Sequence, residues 1–394
     1  MSPDVKRILY VEANDDSTVG GSHQALMDLA IRVDRRRFEP LALFYRDNPF
    51  LDRLKAQNVN AIHIEPLRQR ELRRYRSQGR VGRTLTALGA VRTRMRLIRD
   101  HQVDLVHVIN SPRITADDWL PAAKCLGVPC VASDMLMEAF GRPGRIQQWM
   151  MRGFNWTLPV SGHQEEILRR YGMPEDRMTR IYHGVDVVGL RDAARTAPER
   201  VRAELGVGDG RVLVLMVANV REWKGQHVVL EALGKLAPPV LERVVMVFVG
   251  SVLPEDRPYH DRLAHLIGEH GLDAVVKFEG FRDDVPDLLR AADIVVHAST
   301  QTEPGGIAVL EALALGRPVV ASRFGGHAEV IGSDAGRLFD PSKPDELALH
   351  LGELIQGDDE RQRLGQAAWD RMNDFTIERN VEETQAVYAR VLAR

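Results

Sequence analysis

Cysteine is almost absent. The 394-residue chain holds two, Cys125 and Cys130, and no C-x-x-C pair. That excludes a disulfide or zinc framework and favours a reducing compartment. Charge of one sign is missing too: 53 lysines and arginines face 55 acids, for a net charge of −2. No global field draws the chain to nucleic acid. No apolar run approaches the roughly eighteen residues of a membrane span. The start, residues 1 to 14, carries charge and only a short apolar run, so it reads as a strand and not as a signal peptide. There is no internal repeat, no low-complexity tract, no D-x-D triplet, and no G-x-G-x-x-G fingerprint after the first strand.

What is present is a hydrophobic content of 44%, ample for two cores. Strand-like runs at residues 7–13, 40–45, 60–64, 104–109, 128–132, 157–161 and 178–184 alternate with helical stretches. A second series follows at 212–218, 244–250, 275–279, 293–298, 319–322 and 336–339. Alternation of this kind predicts an α/β protein of two doubly wound Rossmann-like domains facing each other across a cleft. The expected domains are 1–187 and 205–376, joined by a crossover within 187–211. The tail, 377–394, is helical, with Val381, Thr384, Val387, Tyr388 and Val391 on one side of it.

The stretch most loaded with chemistry is 303–316, Glu-Pro-Gly-Gly-Ile-Ala-Val-Leu-Glu-Ala-Leu-Ala-Leu-Gly. Pro304 biases Glu303 toward an extended conformation. From Ile307 the pattern is helical, with Ile307, Leu310, Leu313 and Ala314 on one face. Glu303 is thus expected in a loop before a helix, and Glu311 on its second turn, roughly 7 Å along the axis. The helix start between them offers free N–H groups and the positive dipole end, a site for phosphate. The follow-on, 315–322, is one helix-to-strand step of a parallel sheet, and ligands bind such sheets at the carboxyl ends of strands.

A second loop, Asn219-Val220-Arg221-Glu222-Trp223-Lys224-Gly225, leaves the first strand of the second series. Arg221 and Lys224 emerge from an edge expected to face the Glu303 helix, and two cations aimed at one diphosphate suit a doubly charged leaving group. Phe281 and Arg282 end another strand at the same edge. Either one packs on a nucleobase, or Phe281 is a core residue. Gly20-Gly21 after the first strand lets backbone approach a ligand closely. Residues 68–99 carry eleven arginines and one acid, Glu71. They form either a solvated helix face or a basic surface for an anionic membrane or acceptor. Leu85, Leu88, Val91, Met95 and Ile98 give that segment an apolar stripe. A second apolar region, Met135-Leu136-Met137, Phe140 and Trp149-Met150-Met151, reads as a loop, an acceptor-side wall or core.

These stretches resemble the large retaining glycosyltransferase family 4, with its GT-B architecture. The likeness rests on E-x7-E at Glu303 and Glu311, the 219–225 loop, Gly20-Gly21, Val160-Ser161, and His183-Gly184-Val185-Asp186, where the family commonly has Asn-Gly-Val-Asp. It spans nearly the whole chain and is strongest over 212–340. It implies a C-terminal domain that binds a nucleotide-sugar donor, an N-terminal domain that binds a glycan or lipid-linked acceptor, and a last helix crossing back to the first domain. By the same resemblance Lys224 and an arginine hold the diphosphate together with the amides of Gly306, Ile307 and Ala308. Glu311 holds the ribose and Glu303 the donor sugar, while Gly21 approaches the phosphates from the other domain. Two departures stand out. Ala218-Asn219 replaces a common Gly-Arg, so Arg221 is expected to take over the arginine's role. Met135 stands where the family often has a histidine after the fifth strand, leaving Asp134 or His107 as substitutes.

The implied reaction transfers a glycosyl group to an acceptor hydroxyl with retention of configuration. With no D-x-D triplet, protein cations stand in for a metal, and no cofactor is expected. The expected location is cytoplasmic, at or near the inner membrane face. The rival readings are another enzyme on the same frame, such as an epimerase or a phosphorylase, and a non-catalytic protein that binds a nucleotide sugar or an anionic polymer.

Overall fold

The computed structural model describes residues 5–13, 20–77, 79–110, 112, 118–135 and 142–394. The chain divides into two compact units. The first comprises residues 1–183 and 378–394, and the second residues 184–377.

The first unit holds a parallel sheet of β1 (Lys6–Glu12), β2 (Phe38–Phe44), β3 (Asn60–His63), β4 (Leu105–Val108), β5 (Cys130–Asp134) and β6 (Trp156–Pro159), in the order β3-β2-β1-β4-β5-β6. The second repeats this arrangement with β7 (Val212–Val217), β8 (Val244–Val249), β9 (Val276–Gly280), β10 (Ile294–His297), β11 (Val319–Ser322) and β12 (Gly336–Phe339), in the order β12-β11-β10-β7-β8-β9. Both are the doubly wound order. Helices cover both faces, so the inner strands are apolar without alternation: every residue of β8, Val-Val-Met-Val-Phe-Val, is buried. Each unit has its own core, one around Leu9, Leu41, Val106 and Trp119, the other around Val214, Met246, Phe248 and Val320.

One expected strand is missing. Residues 178–184 run beside β6, and the amides of Thr179 and Ile181 donate to the carbonyls of Thr157 and Pro159 at 3.1 and 3.0 Å. Only one bridge forms, between Thr157 and Met178. Pro159 has no N–H to donate back, so the ladder stops there. The segment expected as a crossover, 187–211, instead carries two helices, Val187–Ala193 and Pro198–Glu204, and both lie within the second unit.

The last helix, Ile377–Leu392, packs on the first unit through the expected side: Val381, Thr384, Val387, Tyr388 and Val391 are all buried. Tyr388 meets His107 of β4, its hydroxyl 2.6 Å from Nδ1, while Nε2 lies 2.9 Å from Ser133 Oγ. With both ring nitrogens occupied and the residue fully buried, His107 serves the core and has no nitrogen left for an acceptor. Burial pushes it down to about 3.

The arginine-rich segment forms two helices, Glu65–Ser77 and Arg80–Asp100. It is not uniformly a surface. Arg94 is fully buried, with two nitrogens 2.9 Å from the Glu71 carboxylate and its guanidinium close to the Tyr45 and Trp119 rings. A buried guanidinium persists because a carboxylate and aromatic faces replace its water. Arg70, Arg73, Arg92, Arg96 and Arg99 are exposed. The apolar stripe is split: Ile98 is buried, Val91 and Met95 are half-buried, and Leu85 and Leu88 are exposed. In the second apolar region Met151 is buried and Trp149 exposed, while 136–140 lies outside the described residues.

Candidate active site

In the second sheet the chain leaves β7 toward β8 on one side and leaves β10 toward β11 on the other. The carboxyl ends of β7 and β10 are therefore neighbours whose loops diverge, the switch point at which open α/β sheets bind ligands. Both sequence-selected loops start there, 218–225 after β7 and 298–306 after β10.

The loops are stitched together by backbone. The amide and hydroxyl of Thr300 reach the Trp223 carbonyl at 2.8 and 3.3 Å. Gly225 adopts a left-handed φ of 79°, and a Cβ there would collide with the Ala298 carbonyl oxygen. Only glycine lets the turn after Lys224 lie this close to the end of β10.

That turn brings Lys224 Nζ within 2.9 Å of both carboxylate oxygens of Glu303. Both side chains are largely withdrawn from water, at 16% and 11% exposed. Ser299 Oγ donates to Glu303 Oε1, and His297 Nε2 lies 3.1 Å from the same oxygen. Burial alone would raise the Glu303 carboxyl, but Lys224 and then His297 outweigh it and hold the group well below the usual carboxylate range. The backbone of Glu303 is fixed by the loop after β11: Glu303 bridges Gly325, and the Gly326 amide donates to its carbonyl at 2.9 Å. Gly325 has φ 101°, and a Cβ there would strike the Glu303 backbone. The helix that starts there, Gly326–Ile331, carries His327, whose ring lies 4.8 Å from that of His297 at 70°.

The other selected residues are placed as follows. Arg221 is half-buried and donates through Nε to Asp256 Oδ2 at 3.2 Å. The Asn219 carbonyl accepts from Gln226 Nε2 at 3.0 Å. Gly306 precedes the helix Ile307–Ala314, which starts with Ile307 and Ala308 and carries a half-buried Glu311. Phe281 is 76% exposed, which excludes the core reading. Arg282 is engaged by Asp284 and Glu204 at 2.5 to 2.8 Å. Gly21 opens the exposed start of the helix Gly21–Arg32 in the first unit. Asp134 is buried at the end of β5. The 219–225 loop and Glu303 are thus brought together as expected. Ser299, His297 and His327 were not foreseen; the available signal was a histidine closing an otherwise apolar strand, Ile294-Val295-Val296-His297. Among the described residues no cluster of three or more histidines, cysteines or acids is arranged to hold a metal.

The fold is that of the two-domain GT-B glycosyltransferases. Residues 198–371 match the family model for glycosyl transferases group 1, and residues 19–188 match that for glycosyltransferase family 4. Together they support a glycosyltransferase of the group 1/family 4 kind. Spore coat protein SA of Bacillus subtilis is 26% identical over 94% of this chain and 95% of its own length. A D-inositol 3-phosphate glycosyltransferase of Corynebacterium efficiens is 29% identical over 59% of this chain and 56% of its own. Among solved structures, Anabaena HepE in complex with UDP superposes with a TM-score of 0.79 at 22% identity, covering 98% of this chain and all of that one. Its complex with UDP-glucose gives 0.76 at 24% identity, over 96% and 99%. At these identities the structural likeness speaks for the fold.

Proposed function

We propose that the protein transfers a sugar from a nucleoside diphosphate to an acceptor hydroxyl with retention of configuration and without a metal. The observation that carries this reading is the buried Lys224–Glu303 pair at the switch point of the second sheet. As C1–O cleavage proceeds, charge builds on the diphosphate. Lys224, Arg221 and the amides of Gly306, Ile307 and Ala308 receive it, and Glu303 faces the sugar hydroxyls. Glu311 takes the ribose. Phe281 supplies an exposed face for the base, since Arg282 is held by carboxylates. Both cations already have carboxylate partners, Asp256 and Glu303, so donor binding exchanges ion pairs rather than filling an uncompensated positive pocket.

UDP and UDP-glucose, bound by the Anabaena neighbour, are the first donors to try. Thermal unfolding with UDP, GDP, ADP and dTDP and their sugar conjugates tests the site: a ligand at 100 times its Kd adds about 2.7 kcal/mol. One nucleotide is expected to stand out, and the shift is expected to vanish in Glu311→Ala. Turnover is expected to persist in EDTA with the donor's anomeric configuration kept in the product; a strict Mg²⁺ or Mn²⁺ requirement refutes the metal-free reading.

The acceptor is a glycan or a lipid-linked glycan of envelope or polysaccharide synthesis, met at the inner face of the membrane. What favours this is the exposure of Arg70, Arg73, Arg92, Arg96 and Arg99, and of Leu85 and Leu88, on two successive helices. No described helix is long and apolar enough to cross a membrane, and the contact proposed is peripheral. Each arginine near an anionic bilayer contributes about 1 kcal/mol. Flotation with anionic but not neutral liposomes is expected; binding to neither removes the membrane part of the reading.

A further inference from the structure

Glu303 has three donors: Lys224 Nζ reaches both carboxylate oxygens, and Ser299 Oγ and His297 Nε2 both reach Oε1. Because the carboxyl is held ionised, it only accepts hydrogen bonds, so His297 Nε2 carries a proton and donates it. His297 is itself braced. The His327 ring crosses it nearly at right angles, 4.8 Å between centroids, an edge-to-face packing. His327 Nε2 lies 2.7 Å from the Ser322 carbonyl oxygen, at the end of β11. A carbonyl only accepts, so this nitrogen too bears its proton and the His327 ring is fixed in orientation. The chain of contacts runs from β11 through His327 and His297 to Glu303.

We propose that His297, braced by His327, is a positioning residue that keeps Glu303 aimed at the donor sugar when Lys224 turns from the carboxylate to the diphosphate. This rests on the donor-site reading above. Lys224 donates to both Glu303 oxygens, yet the same ammonium is the one required on the phosphate. Once it leaves, the buried carboxylate loses its largest attractive partner. His297 and Ser299 are the donors that stay. Without His297 the carboxylate would protonate or swing, and its grip on the sugar hydroxyls would weaken. The grip on the nucleotide, made by other groups, would not.

The role therefore predicts a split between two ligands. Calorimetry measures Kd for UDP, GDP, ADP and dTDP and for their hexose conjugates, with wild type, His297→Ala, His297→Gln and His297→Asn. In wild type one nucleotide and its conjugate bind. His297→Ala is expected to leave the nucleotide Kd within twofold and to weaken the conjugate about tenfold, the scale of one hydrogen bond to a charged group. His297→Gln places an N–H near the Nε2 position and is expected to restore the conjugate to within threefold. His297→Asn, one bond shorter, is expected not to. Should the alanine variant not fold, the glutamine and asparagine variants alone carry the comparison. Equal weakening of nucleotide and conjugate, or an unchanged ratio in the asparagine variant, overturns the positioning role and leaves the donor site standing. Absence of binding to every compound by wild type overturns the donor reading, and this role with it.

Discussion

Lys224 neutralises a buried carboxylate, so its removal has a consequence for stability that needs no substrate. In Lys224→Ala, Glu303 keeps Ser299 and His297 but loses its ammonium. Breaking a buried pair from one side costs about 3–5 kcal/mol. The surviving donors argue for the lower end, about 3 kcal/mol. At roughly 2–4 °C per kcal/mol for a unit of this size, Tm should fall by about 6–12 °C near pH 7. The pH dependence has a definite sign. In the wild type the Glu303 carboxyl lies below its unfolded value near 4.3. Its stabilisation is complete above that value and is lost as pH falls through the folded one. In the variant the largest lowering partner is gone, so the folded pKa lies closer to the unfolded value and less stability is lost in acid. The gap between wild type and variant should stay constant from pH 7.5 to pH 5 and narrow as pH falls below about 4.3. Scanning calorimetry on Lys224→Ala, Glu303→Gln and the double variant measures this. Once a neutral amide replaces the carboxylate, the loss of Lys224 should cost far less, giving a coupling of about 2 kcal/mol. A drop under 2 °C, or equal drops with and without Glu303→Gln, refutes the buried pair as a source of stability.

Two further outcomes are expected. Gly225→Ala forces a side chain onto left-handed backbone and into the Ala298 carbonyl; strain of at least about 1–3 kcal/mol should lower Tm and abolish the nucleotide-induced shift together, measured by thermal unfolding with and without donor. His107, His183 and His327 are pushed down by burial to about 3, 4 and 3, from near 6.5 in an unfolded chain. The unfolded state thus binds more protons below pH 6.5, and each histidine should remove about 1.4 kcal/mol of stability per pH unit as pH falls toward its folded value. Urea unfolding from pH 7 to 5 should show a shallower slope in His183→Gln; an unchanged slope refutes the assignment.

Much of this was legible because parallel sheets announce themselves. Strands buried on both faces, such as β8 and β10, read as short apolar runs whatever surrounds them. Pro304 and the glycines after it marked the helix start at Ile307 for local reasons. Where sequence reading failed, the cause was a partner distant in the chain. Arg94 looks like its neighbours in an arginine-rich helix; Glu71, Tyr45, Asp118 and Trp119, from elsewhere in the chain, draw it inside. The run at 178–184 has strand composition, and the missing N–H of Pro159, nineteen residues before Met178, ends its pairing. The inner half of the site was hidden in the same way. Spacing within 303–316 revealed two carboxylates and a helix start, but not that the short helix after β11 sets His327 against His297.

The return of residues 378–394 to the first unit makes the second unit an insertion in the first. Tyr388, which closes over His107 and packs edge-on against Phe38, is synthesised after every residue of the second unit. On the ribosome, the six strands of the first sheet emerge long before the helix that seals them. A nascent chain halted near residue 377 would leave His107 without its hydroxyl partner and an apolar flank of the sheet uncovered. Vectorial folding of the first half is therefore held incomplete until the far end of the chain arrives, and C-terminal truncation should damage the N-terminal half rather than the unit that directly precedes the cut.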